Sequence, residues 1–305
     1  MALGYEGRLY ILAFDHRASF SRDMFGIAGE PDAEQTKRIA DAKELIFEGL
    51  VEAARSGKVS AGDVGVLVDE QFGGAVPRLA RDHGMVLAMS VEKSGEAVFD
   101  FEYGDAFGEH IERFEPDFSK VLVRYNAHGD ADANRVQLER LKRLADWLHA
   151  RDRSFLFEML VPPTDGQLAD AGGDERRYQA EVRPGLIARG IADAQEFGVE
   201  VDVWKLEGVD SSADAEALVS QARSGEGRDQ VACVLLGAGA DDERVEGWLR
   251  VVGATEGFCG FAIGRSIWRE PLRAWLADEI ERAEAAKRIA ADYLRFVDAY
   301  ERAAP

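Results

Sequence analysis

Short apolar runs alternate with long amphipathic segments along all 305 residues of the chain. The first run, Leu9-Tyr10-Ile11-Leu12-Ala13-Phe14, lies in a strand predicted over residues 8–16. Helical spacing of the apolar positions then predicts a helix over 34–56. The same alternation places further strands over 63–72, 85–91, 119–126, 154–161, 200–209, 230–236 and 257–263. Helices fall between them: a short one from Pro77, then 105–114, 134–150, 177–196, 213–223 and 243–252. The chain is helical again from about Pro271. The segment 134–150 is the strongest helix, with Leu138, Leu141, Leu144 and Leu148 on one face.

Strands this continuously apolar are buried on both faces, which is the situation of a parallel sheet flanked by helices. Eight β-α units in order close most naturally into a (β/α)8 TIM barrel, a fold of about 250 residues. The expectation is a single domain over 1–305 with an extra C-terminal helix, since no linker, low-complexity tract or break in composition interrupts the chain. A doubly wound open sheet is the second option. It is weakened because no Gly-x-Gly-x-x-Gly follows the first strand.

Strand six changes the picture, because a lysine stands in its middle. In Val203-Trp204-Lys205-Leu206-Glu207, alternation puts Val203, Lys205 and Glu207 on one face and Trp204 and Leu206 on the other. The large apolar pair suits a helix-covered outer face. Lys205 and Glu207 therefore point into what the strand encloses. A buried ammonium must be paired or lose its proton, and an amine that gives up its proton easily is a nucleophile.

Other strand ends carry ionisable groups too, at the end of a barrel where chemistry resides. Strand one ends Asp15-His16-Arg17, strand two Asp69-Glu70-Gln71, and strand three Glu92-Lys93-Ser94-Gly95. Strand four contains Lys120 and Arg124, and strand five Glu158. Any one of these fits a structural ion pair as well as a functional role. So many in succession fit a solvated, substrate-binding mouth better, because a closed internal network costs several kcal/mol per ion to desolvate. Strands seven and eight end differently, in Gly237-Ala238-Gly239 and Gly264-Arg265-Ser266. Glycines let backbone N–H groups approach an anion, the following helix N-terminus favours negative charge, and Arg265 offers a planar fork. A phosphorylated substrate is expected there.

Composition narrows the partners. With 57 acidic and 37 basic residues the formal net charge is -20, which opposes a nucleic-acid backbone and an anionic membrane. A small-molecule substrate is expected, and assembly into a homo-oligomer is left open. Cys233 and Cys259 lie in separate apolar runs without a Cys-x-x-Cys pattern, as core thiols of a reducing compartment do. No basic-then-apolar leader and no apolar run of roughly 20 residues is present, so a cytoplasmic location is expected. The five histidines show no metal-ligand spacing, and no cofactor or metal is expected. A Mg²⁺ held by Asp69 or Glu70 is the competing idea. Serine hydrolysis lacks its Gly-x-Ser-x-Gly elbow.

Taken together, Leu12-Ala13-Phe14-Asp15-His16-Arg17, Lys120-Val121-Leu122-Val123-Arg124-Tyr125, Phe157-Glu158-Met159-Leu160, Val203-Trp204-Lys205-Leu206-Glu207 and Gly264-Arg265-Ser266-Ile267-Trp268 resemble the tagatose-bisphosphate aldolase family of class I aldolases. The likeness is greatest to its branch of uncharacterised proteins (DUF2090) and to the aldolase domain fused to a sugar kinase in inositol catabolism. These motifs run in order from Leu9 to Trp268. The resemblance implies a (β/α)8 barrel, a Schiff-base lysine at Lys205 and an acid/base glutamate at Glu158 supported by Asp15 and Lys120. It also implies phosphate contacts near Gly237, Gly239 and Arg265, to which the strand-eight loop adds Gly264.

Three positions depart from the family pattern. Gly237 stands where a serine is usual, His16 where glutamine is usual, and Arg124 in place of a tyrosine. The expected reaction is cleavage of a phosphorylated keto-sugar to dihydroxyacetone phosphate and an aldehyde, with Lys205 kept neutral by burial and by the charge of Lys120. Arg17 and Arg124 are expected to receive a carboxylate or second anionic group. That points first to 6-phospho-5-dehydro-2-deoxygluconate, with malonate semialdehyde as the aldehyde. Tagatose-bisphosphate or sulfosugar-phosphate cleavage, a metal-dependent barrel lyase or isomerase, and a non-catalytic sugar-phosphate sensor are the alternatives.

Overall fold

The computed structural model describes residues 3–304. Eight strands, β1 (Leu9–Ala13), β2 (Val64–Val68), β3 (Val86–Ser90), β4 (Phe118–Arg124), β5 (Ser154–Leu160), β6 (Val203–Glu207), β7 (Ala232–Leu236) and β8 (Phe258–Ile263), pair in sequence order. Every pairing is parallel, and β8 returns to β1 through Leu9↔Gly260 to Leu12↔Ile263, so the sheet is a closed barrel. This is the TIM barrel expected from the alternating runs.

Alternation within each strand produces two separate cores. Inward-facing Leu9, Ile11, Leu67, Ala88, Leu156, Val203, Val234 and Ala262 fill the barrel. Outward-facing residues, including Tyr10, Leu12, Phe157, Trp204 and Leu206, join the larger core between sheet and helices. Phe157 and Trp204 stack with ring centroids 4.8 Å apart on that outer face. Helix Ala33–Arg55 begins at a capping box between Asp32 and Gln35. The C-terminal helix Arg282–Glu301 packs beside it, and the Tyr293 and Tyr300 hydroxyls donate to the carbonyls of Tyr10 and Phe258, each at 2.7 Å.

Several boundaries differ from the sequence reading: β1 ends at Ala13 and β6 spans Val203–Glu207, both shorter than read, and the helices Ala18–Phe25 and Asp165–Asp170 were not read. β2 stops at Val68, because Asp69 turns the chain and caps the helical turn Glu70–Gly73 by accepting from the Phe72 N–H. The helix expected over 177–196 consists of Glu175–Arg177, a π-helical turn Tyr178–Val182, and Arg183–Glu196. Helix Arg265–Leu276 starts directly after β8, with Pro271 inside it. The proline had marked a helix start, but it is accommodated within the helix. Among the described residues no helix is long and apolar enough to cross a membrane.

Candidate active site

The C-terminal ends of the strands open into a cavity of about 610 Å³. Its floor is set by β4, β5 and β6. Glu158 and Lys205 are register partners across the β5–β6 pairing, and in a parallel sheet such partners face the same side. The Lys205 Nζ lies 3.0 Å from the Glu158 Oε2. On the other side Lys120 Nζ reaches the same oxygen at 2.9 Å, Glu92 Oε1 at 2.9 Å and Asp15 Oδ2 at 2.8 Å. Lys120 and Lys205 are 1% and 3% exposed, so these contacts act largely outside water.

Burial opposes charge on each of these groups, and the neighbours decide the outcome. On Lys120, burial is overcome by Asp15, Glu158 and Glu92, which raise its pKa well above the ordinary lysine value. On Asp15, burial is overcome chiefly by the Lys120 charge, and the carboxyl is held below its ordinary value. Glu158 is likewise lowered, because Lys120 and Lys205 together outweigh its burial. Burial wins at Glu92 and raises it. His16 is lowered to about 4, mainly by burial.

This corrects one expectation. Lys120 does not face Lys205 as a bare positive neighbour, because three carboxylates surround it and Glu158 bridges the two amines.

The opposite wall comes from the loops after β7 and β8. Ala238 and Gly239 both have left-handed φ values, 50° and 72°. A Cβ on Gly239 would lie 2.9 Å from Arg265 Nη2, so the guanidinium rests against this bare backbone. Gly264 caps helix Arg265–Leu276, and a Cβ there would come within 2.1 Å of the Ala13 carbonyl oxygen. Gly237 lines the same wall against Ile263. Burial lowers the Arg265 pKa, with Arg269 adding to the effect.

The two arginines expected to meet a second anionic group are placed differently. Arg17 is buried and spends its guanidinium on Glu102 Oε2, at 2.7 Å, and on the Glu92 carbonyl. Arg124 is exposed at the rim, with only a 3.4 Å contact to the Glu96 carbonyl. Asp69 and Glu70 do not line the cavity. Asp69 is fully buried against Lys43, and Glu70 pairs with His110 at 2.7 Å on the outer side.

Two groups at the cavity had no role assigned from the sequence. Glu92 completes the ring around Lys120, and its Oε2 is buried without a hydrogen-bond partner. Arg183 pairs with the inward-facing Glu207 at 3.0 Å and donates to the Gly208 carbonyl at 2.8 Å. The only sequence signal for Glu92 is its place after an apolar strand. Arg183 carries none, since its partner lies 24 residues away along the chain.

Three curated relatives, tagatose 1,6-diphosphate aldolase 2 of Streptococcus pyogenes serotypes M1, M18 and M6, are 27% identical over 299 residues. The alignment spans 90% of this chain and 85% of each relative. The fold is shared with fructose-bisphosphate aldolase of Plasmodium falciparum (TM-score 0.70, 15% identity, 98% of this chain and 92% of that one). It is shared also with a protein from Corynebacterium glutamicum (TM-score 0.60, 18% identity, 96% and 87%). The family described as an uncharacterized protein conserved in bacteria, DUF2090, matches residues 4–304, and the chain belongs to that family.

Proposed function

We propose that the protein is a class I aldolase, a carbon–carbon lyase that cleaves a phosphorylated keto-sugar through a Schiff base on Lys205. The observation that carries this reading is the shared oxygen. Glu158 Oε2 touches the amine that would attack and the ammonium that would hold the carboxylate in place. The similarity to the streptococcal tagatose 1,6-diphosphate aldolases supports it.

In this mechanism Lys205 passes a proton to Glu158 and its nitrogen lone pair attacks the ketone carbon, giving a carbinolamine. Loss of water, with Glu158 returning that proton to the departing hydroxyl and Asp15 orienting Lys120 beside it, leaves an iminium that accepts electrons and a Glu158 carboxylate free to act again. Glu158 then removes the proton from the hydroxyl on the far side of the scissile bond. The C–C bond electrons move onto the iminium, an aldehyde departs, and the enamine is reprotonated and hydrolysed to dihydroxyacetone phosphate. Gly237, Gly239, Gly264 and Arg265 hold the phosphate, which fixes the carbonyl within reach of the amine.

The charges of the cavity favour a substrate with two anionic ends. Among the described residues, the cations lining the cavity are all paired with carboxylates except Arg124 and Arg265. They stand at the ends of β4 and β8, on opposite sides of the barrel, with Lys205 on β6 between them along the sheet. Arg265, beside two glycines and a helix N-terminus, suits the phosphate. Arg124 at the open rim suits a carboxylate. That pairing fits 6-phospho-5-dehydro-2-deoxygluconate, with malonate semialdehyde as second product, and tagatose bisphosphate is the next candidate.

Borohydride reduction in the presence of dihydroxyacetone phosphate, followed by peptide mass spectrometry, tests the mechanism. A stable adduct on Lys205 is expected, and an adduct that survives Lys205→Ala sinks the assignment. A panel of keto-sugar phosphates, assayed for triose-phosphate release, tests the substrate.

A further inference from the structure

Lys43 is a buried cation with no part in the mechanism above. It belongs to helix Ala33–Arg55 on the outside of the barrel, and both it and Asp69 are 0% exposed. Its ammonium has three acceptors: Asp69 Oδ2, the Phe14 carbonyl at 2.8 Å and the His16 carbonyl at 2.9 Å. The rings of Phe20 and Phe72 flank it at 5.3 and 5.7 Å.

Those two carbonyls flank Asp15. The N–H of Phe14 bonds to the Leu67 carbonyl at 2.9 Å, and beyond it the chain leaves the sheet. Buried carbonyls at that point need a donor, and the strand ladder no longer supplies one. Lys43 supplies it on both sides of Asp15. Asp69 balances the charge and is itself fixed, because its Oδ1 accepts from the Phe72 N–H at 2.8 Å.

A buried ion pair is poorly explained as a stabilising device, since an apolar pair of similar volume does as well or better. Here it clamps backbone at the one loop that brings both Asp15 and His16 to the cavity. We propose that Lys43 and Asp69 form a positioning pair that holds the Phe14–His16 backbone so that the Asp15 carboxyl meets Lys120. Lys43 acts through Asp15 and does not touch substrate. The part of this inference that concerns turnover rests on the aldolase reading.

The test compares two neutral replacements of the pair. Lys43→Met with Asp69→Asn removes the clamp without stranding a charge and keeps the cap on Phe72. Lys43→Gln with Asp69→Asn retains an amide donor, too short to reach both carbonyls. The Met/Asn protein is expected to keep its Tm within about 5 °C. Its kcat and its rate of borohydride-trapped adduct formation should fall together by about ten- to a hundred-fold, with KM within about two-fold of the parent. The Gln/Asn protein should show a smaller loss. A folded Met/Asn protein with kcat within about two-fold of the parent overturns the proposal. If that protein does not fold, the Gln/Asn protein decides, and a parental kcat there overturns it.

Amide hydrogen exchange provides a readout independent of turnover. In the variants, exchange over residues 14–17 should rise at least about ten-fold while helix Ala33–Arg55 stays protected. Should the parent give no adduct at all, the aldolase reading fails, and the exchange experiment still decides whether the clamp exists.

Discussion

Glu158 and Lys205 occupy paired positions on adjacent parallel strands, with carboxylate and amine 3.0 Å apart. Register alone delivers this contact, because side chains of paired residues project to the same face. A carboxylate so placed can take a proton from the nitrogen or from a substrate hydroxyl above it, whereas an amide cannot. Glu158→Gln is therefore expected to lower kcat by roughly 10² to 10⁴, and the adduct of dihydroxyacetone phosphate with Lys205 should still trap with borohydride, but more slowly than in the parent. A variant that turns over within ten-fold of the parent would remove Glu158 from the proton path.

Lys120 predicts an inversion of the pH dependence of stability. Asp15 and Glu158 have depressed pKa values in the fold. Their contribution is therefore present above the unfolded carboxylate value of about 4 and is lost as pH falls through the folded values. Lys120 is raised, so its contribution is present below about 10.4 and is lost as pH climbs through its folded value. Glu92 runs the other way: being raised, it costs stability above its folded pKa and less as pH falls. In Lys120→Met, Asp15 and Glu92 lose their nearest ammonium and burial dominates there, while Glu158 keeps Lys205. The variant should be less stable by about 3–5 kcal/mol at pH 7.5, and it should recover stability as pH is lowered towards 5. Urea titrations at several pH values read this directly, and a flat profile in the variant would contradict it.

The barrel was legible because a run such as Val231-Ala232-Cys233-Val234-Leu235-Leu236 has no polar face to offer solvent. Lys205, Lys120 and Glu158 were legible because a charge inside such a run has to point somewhere enclosed. Their partners were harder to see. Glu92 meets Lys120 from 28 residues away, Lys43 meets Asp69 from 26, and Arg17 meets Glu102 from 85. Each contact depends on where a crossover helix or loop returns, which strand periodicity does not encode. For that reason Arg17 looks from sequence like a free anion receptor, while the fold spends it on Glu102 and Glu92.

The two cavity arginines without carboxylate partners should separate by substrate. Arg265→Met is expected to raise KM for every phosphorylated substrate by about ten-fold or more, with inorganic phosphate losing potency as a competitor. Arg124→Met should raise KM only for substrates carrying a second anionic group. Steady-state kinetics with a ketose monophosphate beside a keto-sugar acid phosphate would distinguish them. Equal losses for Arg124→Met on both substrates would mean that Arg124 shapes the rim without reading charge.

Gly239 allows a test of the proposed phosphate wall without touching a charge. Its φ of 72° lies in the left-handed region, and a Cβ would meet the Arg265 guanidinium at 2.9–3.1 Å. Gly239→Ala should therefore strain the loop by about 1 kcal/mol and push Arg265 from its seat. The expected result is a higher KM for phosphorylated substrate with a Tm lowered by a few degrees. Gly264→Ala is more severe, because the added carbon would lie 2.1 Å from the Ala13 carbonyl oxygen. It should displace the start of helix Arg265–Leu276 and reduce folding yield, which soluble expression and circular dichroism would register.

His16 is expected to stay neutral at every pH where the enzyme works, because burial lowers its pKa to about 4. The imidazole lines the cavity, packs edge-on against Trp268 with centroids 5.8 Å apart, and has a buried Nδ1 that makes no hydrogen bond and lies 4.0 Å from Asp15 Oδ1. A neutral imidazole and a neutral amide can offer substrate the same kind of hydrogen bond, so His16→Gln should keep kcat/KM within about ten-fold. The sign of the stability change follows from the lowered pKa. Below the unfolded histidine value of about 6.5 the unfolded chain binds the proton first, and the native state loses ground until pH reaches about 4. His16→Gln removes that loss, so the variant should resist unfolding better than the parent at pH 5 and match it more closely at pH 8. The His16 imidazole C–H resonance, assigned by its loss in His16→Gln, would show instead that the ring is freely hydrated if it titrates near pH 6.5 in the parent.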